Sequence, residues 1–423
     1  MANRTIRKLL IANRGEIAIR VMRGANELGI RTVAIYANED RLSLHRFKAD
    51  EAYQVGHTLG PVKAYLSIEE VMRVAREVGC DAIHPGYGFL SENPDFADAC
   101  VDAGVLFIGP PSNVMRMVGN KLSARAVAER AGAPVMPATG PLPLDMDEIR
   151  TLAAAVGYPV MLKASWGGGG RGMRVIESEA ALEGEVNSGR REAAASFDNG
   201  EVYLEKLVRR ALHVEVQLLA DTHGNIVHLY ERDCTVQRRH QKVVERAPAP
   251  YLDDQQRRQL CDAALSIARE AEYINAGTVE FLMDADTGAF YFIEVNPRIQ
   301  VEHTVTEQVT GIDIVKAQIR IAQGARIGDV ANSGVPEQAE IHLHGNAMQC
   351  RITTEDPEAN FIPDYGRITA YRGATGFGVR LDGGTAYSGA VITRYYDSLL
   401  EKVTTWAPTP EETVIRMDRA LRE

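Results

Sequence analysis

The sequence predicts an α/β protein with a parallel N-terminal sheet, followed by α+β segments and a β-rich C-terminal part. Three observations carry that prediction. The first 114 residues alternate short apolar runs with amphipathic helical stretches, a glycine-dense hairpin interrupts the middle, and two long apolar strands joined by an Asp286-Thr287-Gly288 turn follow it.

The N-terminal rhythm is RKLLIA, then GEIAIRVMRGANELG, then RTVAIYA, with the later runs CDAIHP and VLFIGP separated by helical patterns. Strand, helix and strand in repetition are the mark of a parallel sheet covered by helices, which makes residues 1–114 a Rossmann-like domain. The turn NRGEI carries one glycine rather than GxGxxG, so it reads as scaffold and not as a dinucleotide site.

From NKLSARAVAERAG a helix leads through proline-rich PATGPLPL into the helix DEIRTLAAAVG and the strand PVMLKAS. Beyond the glycines come the strand MRVIES, a charged helix near 180 to 197 and the strand EVYLEKL. Residues 136–204 thus form a small α+β module inserted in a larger domain, 115–334, and able to move as a lid. A third domain covers 335–423.

With 423 residues, 45% hydrophobic and 25% charged, the chain can bury ordinary cores. Its 47 Lys and Arg against 57 Asp and Glu, a balance of −10, give no broad attraction to nucleic acid or to an anionic membrane. Five scattered cysteines without CxxC spacing indicate neither a zinc ribbon nor a disulfide framework, and a reducing cytoplasm fits them. No signal peptide or membrane-spanning run is evident.

Gly167, Gly169 and Gly172 formally satisfy GxGxxG, but a strand follows them where that fingerprint requires a helix. A hairpin tipped with glycines reads instead as a flap. Gly167, Gly168, Gly169, Gly170 and Gly172 let the backbone approach a polyphosphate, with Lys163 and Arg171 adding charge. The plainer alternative is a surface loop without chemistry.

In FIEVNPRIQVEHT, Glu294, Asn296, Arg298, Gln300 and Glu302 fall at every other position. Extended chain would put all five on one edge. A solvated strand face would show the same alternation. Against that reading, Glu280 on the partner strand is expected near Glu294 across the hairpin, and two carboxylates about 4 Å apart repel by roughly 4 kcal/mol at an effective dielectric near 20. A divalent cation would turn that repulsion into binding, and oxygen donors suit magnesium better than zinc.

The stretch RDCTVQRRHQKVVERAPAP gathers Arg238, Arg239, His240 and Lys242, either a solvated face or, in an acidic protein, an anion receiver. His213 and His240 are candidates for hydrogen bonds to a nucleotide, or are structural.

The motifs KASWGGGGRGMR, ERDCTVQRRHQKVVERAPAP, FIEVNPRIQVEHTVTE and MQCRITTEDP, in this order, resemble the ATP-grasp enzymes and within them the biotin carboxylases. The match runs over essentially the whole chain. DYGRITAY and LDGGTAYSGAVITRYYDSLLEKV are most similar to the biotin carboxylase domain of a bacterial pyruvate carboxylase. The resemblance implies an ATP-grasp fold with a mobile glycine-rich lid. It implies ATP contacts from Lys121, Lys163, Glu205, Lys206, Leu207, His213, Gln237 and His240, with Gly167 to Gly172 over the phosphates. Glu280, Glu294 and Asn296 would hold magnesium, or manganese in its place. Lys242, Arg298, Gln300 and Val301 would surround bicarbonate, Glu302 would be its base, and Arg351 would stabilise the enolate form of biotin.

The implied reaction is ATP-dependent carboxylation of carrier-bound biotin through carboxyphosphate. The chain stops inside the apparent helix RMDRALRE, shows AMQC rather than AMKM around Met348, and has no carboxyltransferase region. The C-terminal domain is therefore expected to be incomplete, and the biotinylated carrier and carboxyltransferase domains to lie elsewhere in a homo-oligomer. YQVGHTLGPVKAYLS is shorter than the pyruvate-carboxylase type leads one to expect. Competing readings are the biotin carboxylase component of an acyl-CoA carboxylase, an ATP-grasp enzyme joining a carboxylate to an amine, and a non-catalytic nucleotide-binding subunit.

Overall fold

The computed structural model describes residues 4–164, 173–197, 200–239 and 241–423. The flap residues Gly167, Gly168, Gly169, Gly170, Arg171 and Gly172, and also His240, lie outside the described residues.

Strands β1 (Lys8–Ile11), β2 (Arg31–Tyr36), β3 (Glu51–Gln54), β4 (Ala82–His84) and β5 (Leu106–Phe107) form a parallel sheet in the order β3-β2-β1-β4-β5. The expected Rossmann-like start is what forms. Leu9 and Ile11 of β1 belong to one apolar cluster with Ile17 and Val21 of the helix Gly15–Glu27. Leu10 and Ala12 point the other way, into a cluster with Val71, Val74 and Phe96. A sheet buried on both faces needs apolar residues at consecutive positions, which is why RKLLIA is continuous rather than alternating.

The middle strands are β6 (Val160–Ala164), β7 (Arg174–Ile176) and β8 (Val202–Lys206). The larger sheet follows with β9 (Ala211–Ala220), β10 (Ile226–Arg238), β11 (Gln241–Ala247), β12 (Asn275–Asp284), β13 (Phe290–Asn296) and β14 (Asn346–Thr353). Short strands β15 (Glu355–Asp356), β16 (Ile362–Pro363) and β17 (Gly366–Arg367) lead to β18 (Val379–Gly383), β19 (Val391–Ile392) and β20 (Leu399–Ala407). The eight-stranded sheet has the order β13-β12-β9-β10-β11-β14-β20-β18.

Contacts divide the chain into two compact units. The first joins residues up to Ala133 with Leu212–Phe281 and Glu294–Glu423; the second joins Pro134–Ala211 with Leu282–Ile293. In the second unit, β6 pairs antiparallel with β7, Val160 opposite Ile176, and with β8 on its other side. Val160, Leu162, Ile176 and Leu204 pack on Ile149, Ala153, Leu182 and Val186 of the helices Met146–Val156 and Glu179–Phe197. The strands flanking the glycines are therefore a hairpin, as MRVIES predicted.

One expectation fails. The strand does not run on through Glu302: β13 ends at Asn296, and the chain then turns, the Arg298 amide donating to the Asn296 carbonyl at 2.9 Å. Pro297 offers no N–H to a ladder, so pairing stops there. Glu302, at φ −84° and ψ 5°, is the residue before the helix His303–Thr310.

All five cysteines are buried and free, consistent with the absence of a disulfide framework. Among the described residues, no helix is long and apolar enough to cross a membrane.

Candidate active site

The polar residues of FIEVNPRIQVEHT converge, though by a turn rather than by strand alternation. Asn296 Nδ2 and Gln300 Nε2 both donate to Glu280 Oε1, at 2.9 and 2.8 Å. Arg298 donates to Asn296 Oδ1 at 3.1 Å and lies 3.1 Å from the Glu92 carboxylate. Strand β12 supplies Glu280, the last residue of β13 brings Asn296 to it and the turn beyond brings Gln300.

Lys242 of β11 is the hub. Its Nζ donates to Glu302 Oε1 at 2.6 Å and to Glu280 Oε1 at 3.0 Å, and also to Glu215 Oε2. Burial would strip the ammonium of its proton, but the Glu215 and Glu302 charges hold its pKa well above the ordinary value. Arg351 of β14 closes the other side, donating from Nε to Glu245 Oε1 at 2.6 Å and from NH2 to Glu302 Oε2 at 3.1 Å. Each Glu302 oxygen thus meets its own cation. Burial would raise the Glu302 pKa; Lys242 and Arg351, outweighing the opposing Glu215, lower it, so the carboxylate is ionised and able to accept a proton.

Glu280 is likewise held well below the usual carboxylate range, burial being overcome by His213 and Lys242. His213 Nε2 stands 2.8 Å from Glu280 Oε2, and its pKa is pushed up to about 9: burial opposes the charge, but Glu215 and Glu280 prevail. Glu294 moves the other way, raised by burial and then by the Glu280 charge, with Lys121 partly offsetting them. A carboxyl group pushed up beside a second carboxylate is the condition a divalent cation relieves, and Glu280, Glu294 and Asn296 offer only the hard oxygen donors magnesium prefers. These residues fit the ion.

Three residues escaped the sequence reading. Arg232, fully buried on β10, donates to Glu215 Oε1 at 2.6 Å, Gln217 at 2.7 Å and Gln300 Oε1 at 2.9 Å, tying two strands to the turn. Glu215 is the counter-ion shared by Arg232 and Lys242, and Glu245 is the counter-ion of Arg351. The signal for Glu215 was His213-x-Glu215-x-Gln217, polar residues at every second position of an otherwise apolar strand. Nothing in VVERAP singled out Glu245.

Other predicted residues have their own places. Gln237 donates to the Cys234 carbonyl at 3.0 Å, and Lys121 starts the helix Lys121–Arg130 with its side chain exposed. In the second unit, Lys163 of β6 donates to Glu205 Oε2 of β8 at 2.7 Å. Lys206 donates to the Gly157 carbonyl at 2.8 Å, and the Leu207 amide to the Pro159 carbonyl at 3.2 Å.

Three family models match the chain: the biotin carboxylase N-terminal domain over residues 5–115, the carbamoyl-phosphate synthase L chain ATP-binding domain over 120–330, and the biotin carboxylase C-terminal domain over 349–423. The biotin carboxylase domain of the Hydrogenobacter thermophilus 2-oxoglutarate carboxylase, solved as a dimer with MgADP, ADP and bicarbonate, is 45% identical with a TM-score of 0.86. That match covers 99% of this chain and 90% of the other. The chain belongs to the biotin carboxylase family. As a biotin carboxylase domain it is a ligase that uses ATP, built on the ATP-grasp fold. The pyruvate carboxylase of Bacillus subtilis is 52% identical over 423 residues, 100% of this chain and 37% of that protein. A complete multifunctional pyruvate carboxylase from Rhizobium etli is 62% identical with a TM-score of 0.85, again over 99% of this chain and 37% of the other. The chain thus spans little more than a third of the pyruvate carboxylases it matches, which carry further domains.

Proposed function

We propose that this biotin carboxylase domain performs the first half-reaction of a pyruvate carboxylase, with Glu302 as the base. The supporting observation is a fully buried, ionised carboxylate whose two oxygens are held separately by Lys242 and Arg351.

In this reading bicarbonate settles against Lys242, Arg298, Gln300 and Val301, and Glu302 draws off its proton. Losing that proton makes a bicarbonate oxygen nucleophilic enough to attack the γ-phosphorus, and ADP leaves as the P–O bond breaks. ATP contacts are assigned to Lys121, Lys163, Glu205, Lys206, Leu207, His213 and Gln237. Glu280, Glu294 and Asn296 would hold magnesium, or manganese, whose charge neutralises the nucleotide's phosphates when bound. Carboxyphosphate then breaks to CO2 and phosphate. The phosphate takes the ureido N–H proton, biotin N1 bonds to CO2, and Arg351 faces the negative ureido oxygen.

Biotin would arrive on a carrier domain, and a carboxyltransferase domain would pass the carboxyl group to pyruvate; both belong to other parts of a homo-oligomeric, cytoplasmic enzyme. Five buried free thiols support a reducing compartment.

ADP release by the full-length protein tests this. It should require bicarbonate, rise with free biotin, and fall about 10²- to 10⁴-fold in Glu302→Gln, the range for loss of a general base. ADP release indifferent to bicarbonate would remove the proposal, and carboxylation of acetyl-CoA in place of pyruvate would move the acceptor to the acyl-CoA branch.

A further inference from the structure

Glu302 begins the helix His303–Thr310, yet its side chain does not cap it, being spent on Lys242 and Arg351. Something else must hold that helix start in place. Strands β14 and β20 do so with two cross-strand pairs. Gln349 lies opposite Thr404, and Arg351 opposite Lys402, so the four side chains share one face of the sheet. The first pair holds Thr304, whose hydroxyl is 2.5 Å from Gln349 Oε1 and 2.8 Å from the Thr404 hydroxyl. The second pair divides its work: Arg351 reaches the Glu302 carboxylate, and Lys402 Nζ donates to the Val301 carbonyl at 2.9 Å.

That carbonyl belongs to the peptide leading into Glu302. A cation gripping it therefore sets the direction in which the Glu302 side chain leaves the backbone. Lys402 is 0% exposed, and a buried ammonium needs a counter-ion. Glu16, in the first turn of the helix Gly15–Glu27, provides it at 3.1 Å. Glu16 also accepts from the Tyr87 hydroxyl. The approach is enforced at Gly384, where a Cβ would stand 2.2 Å from the Glu16 amide nitrogen, so only glycine lets the segment after β18 come so close.

We infer that Lys402, anchored by Glu16, is a positioning residue for Glu302: it fixes the Val301–Glu302 peptide so that the carboxylate meets Lys242 and Arg351 and, through them, bicarbonate. The inference rests on Glu302 being the base.

The test measures bicarbonate-dependent ADP release by the full-length protein against pH. Lys402→Met should lower kcat about 10- to 100-fold, the scale of a misplacement near 1 Å, with ATP affinity within about twofold. Its acid limb should move up by about one pH unit, because a Glu302 loosened from its cations gives up its proton less readily. Lys402→Arg, which keeps donor and charge, should bring the limb back. A limb that stays put in Lys402→Met, with kcat and ATP affinity falling together or not at all, overturns the inference. Should Lys402→Met not fold, the double variant with Glu16→Gln leaves no buried charge unpaired and is read by the same criterion. Wild-type ADP release without bicarbonate dependence would refute the role of Glu302 itself, an outcome distinct from an unmoved limb.

Discussion

The two units hold their charged residues in opposite ways. In the first, Glu215, Glu280 and Glu302 share Lys242, while Arg232 and Arg351 close the lattice from either side. No member of that lattice has a single partner, and all are buried or nearly so. In the second, Lys163 and Glu205 make one pair on the face of β6 and β8 turned away from the helices, their side chains 29% and 20% exposed. A shared, buried lattice makes each charge depend on the others, because desolvation is tolerated only when every partner is present. An isolated, hydrated pair carries no such dependence. The first arrangement keeps its carboxylates and cations in fixed protonation states; the second leaves a lysine whose partner can be exchanged at small cost.

The sharpest way to break this contrast is Arg232→Met. It removes one of the two cations that hold Glu215, together with the donors to Gln217 and Gln300, and should destabilise the protein by about 3–5 kcal/mol, measured by denaturant unfolding. A loss below 1 kcal/mol would mean that the lattice relaxes and that its members are not interdependent.

Next in size is the alkaline response of His213. Its folded pKa, about 9, stands above the unfolded value near 6.5, so its contribution is complete below pH 6.5 and disappears as pH rises through 9. That span corresponds to roughly 3–4 kcal/mol. Unfolding measured from pH 6.5 to 9.5 should show the decline in the wild type and a flatter profile in His213→Gln. Equal slopes would show that His213 is neutral beside Glu280.

The smallest effect on folding belongs to Lys163→Met, about 0–1 kcal/mol. Its consequence should be in binding: the ATP Kd, by titration calorimetry, should rise about tenfold for one lost charged contact. Large destabilisation with unchanged Kd would invert the comparison and give Lys163 a structural role.

The parallel sheet was legible because burial on both faces demands continuous apolar runs, and the β6–β7 hairpin because apolar strands flank the glycines. The clustering of Glu280, Asn296, Gln300 and Glu302 was also legible, but its cause was misread. Strand alternation accounts for Glu294 and Asn296 only; past Pro297 a turn delivers Gln300 and Glu302. Arg232, Glu245 and Lys402 were not legible, since a charged residue in a strand looks the same on paper whether it faces water or a buried partner.

Composition and local pattern by themselves determined which segments are strands, which are helices, and which carboxylates lie near one another along the β12–β13 hairpin. These follow from periodicity and backbone sterics, which act over a few residues. Tertiary structure alone decided which cation meets which carboxylate, that Glu302 faces Lys242 and Arg351 instead of capping its helix, and that β20 reaches under the site with Lys402. Those pairings join residues as far apart as Glu16 and Lys402, and a buried charge takes its protonation state from whatever the fold packs against it.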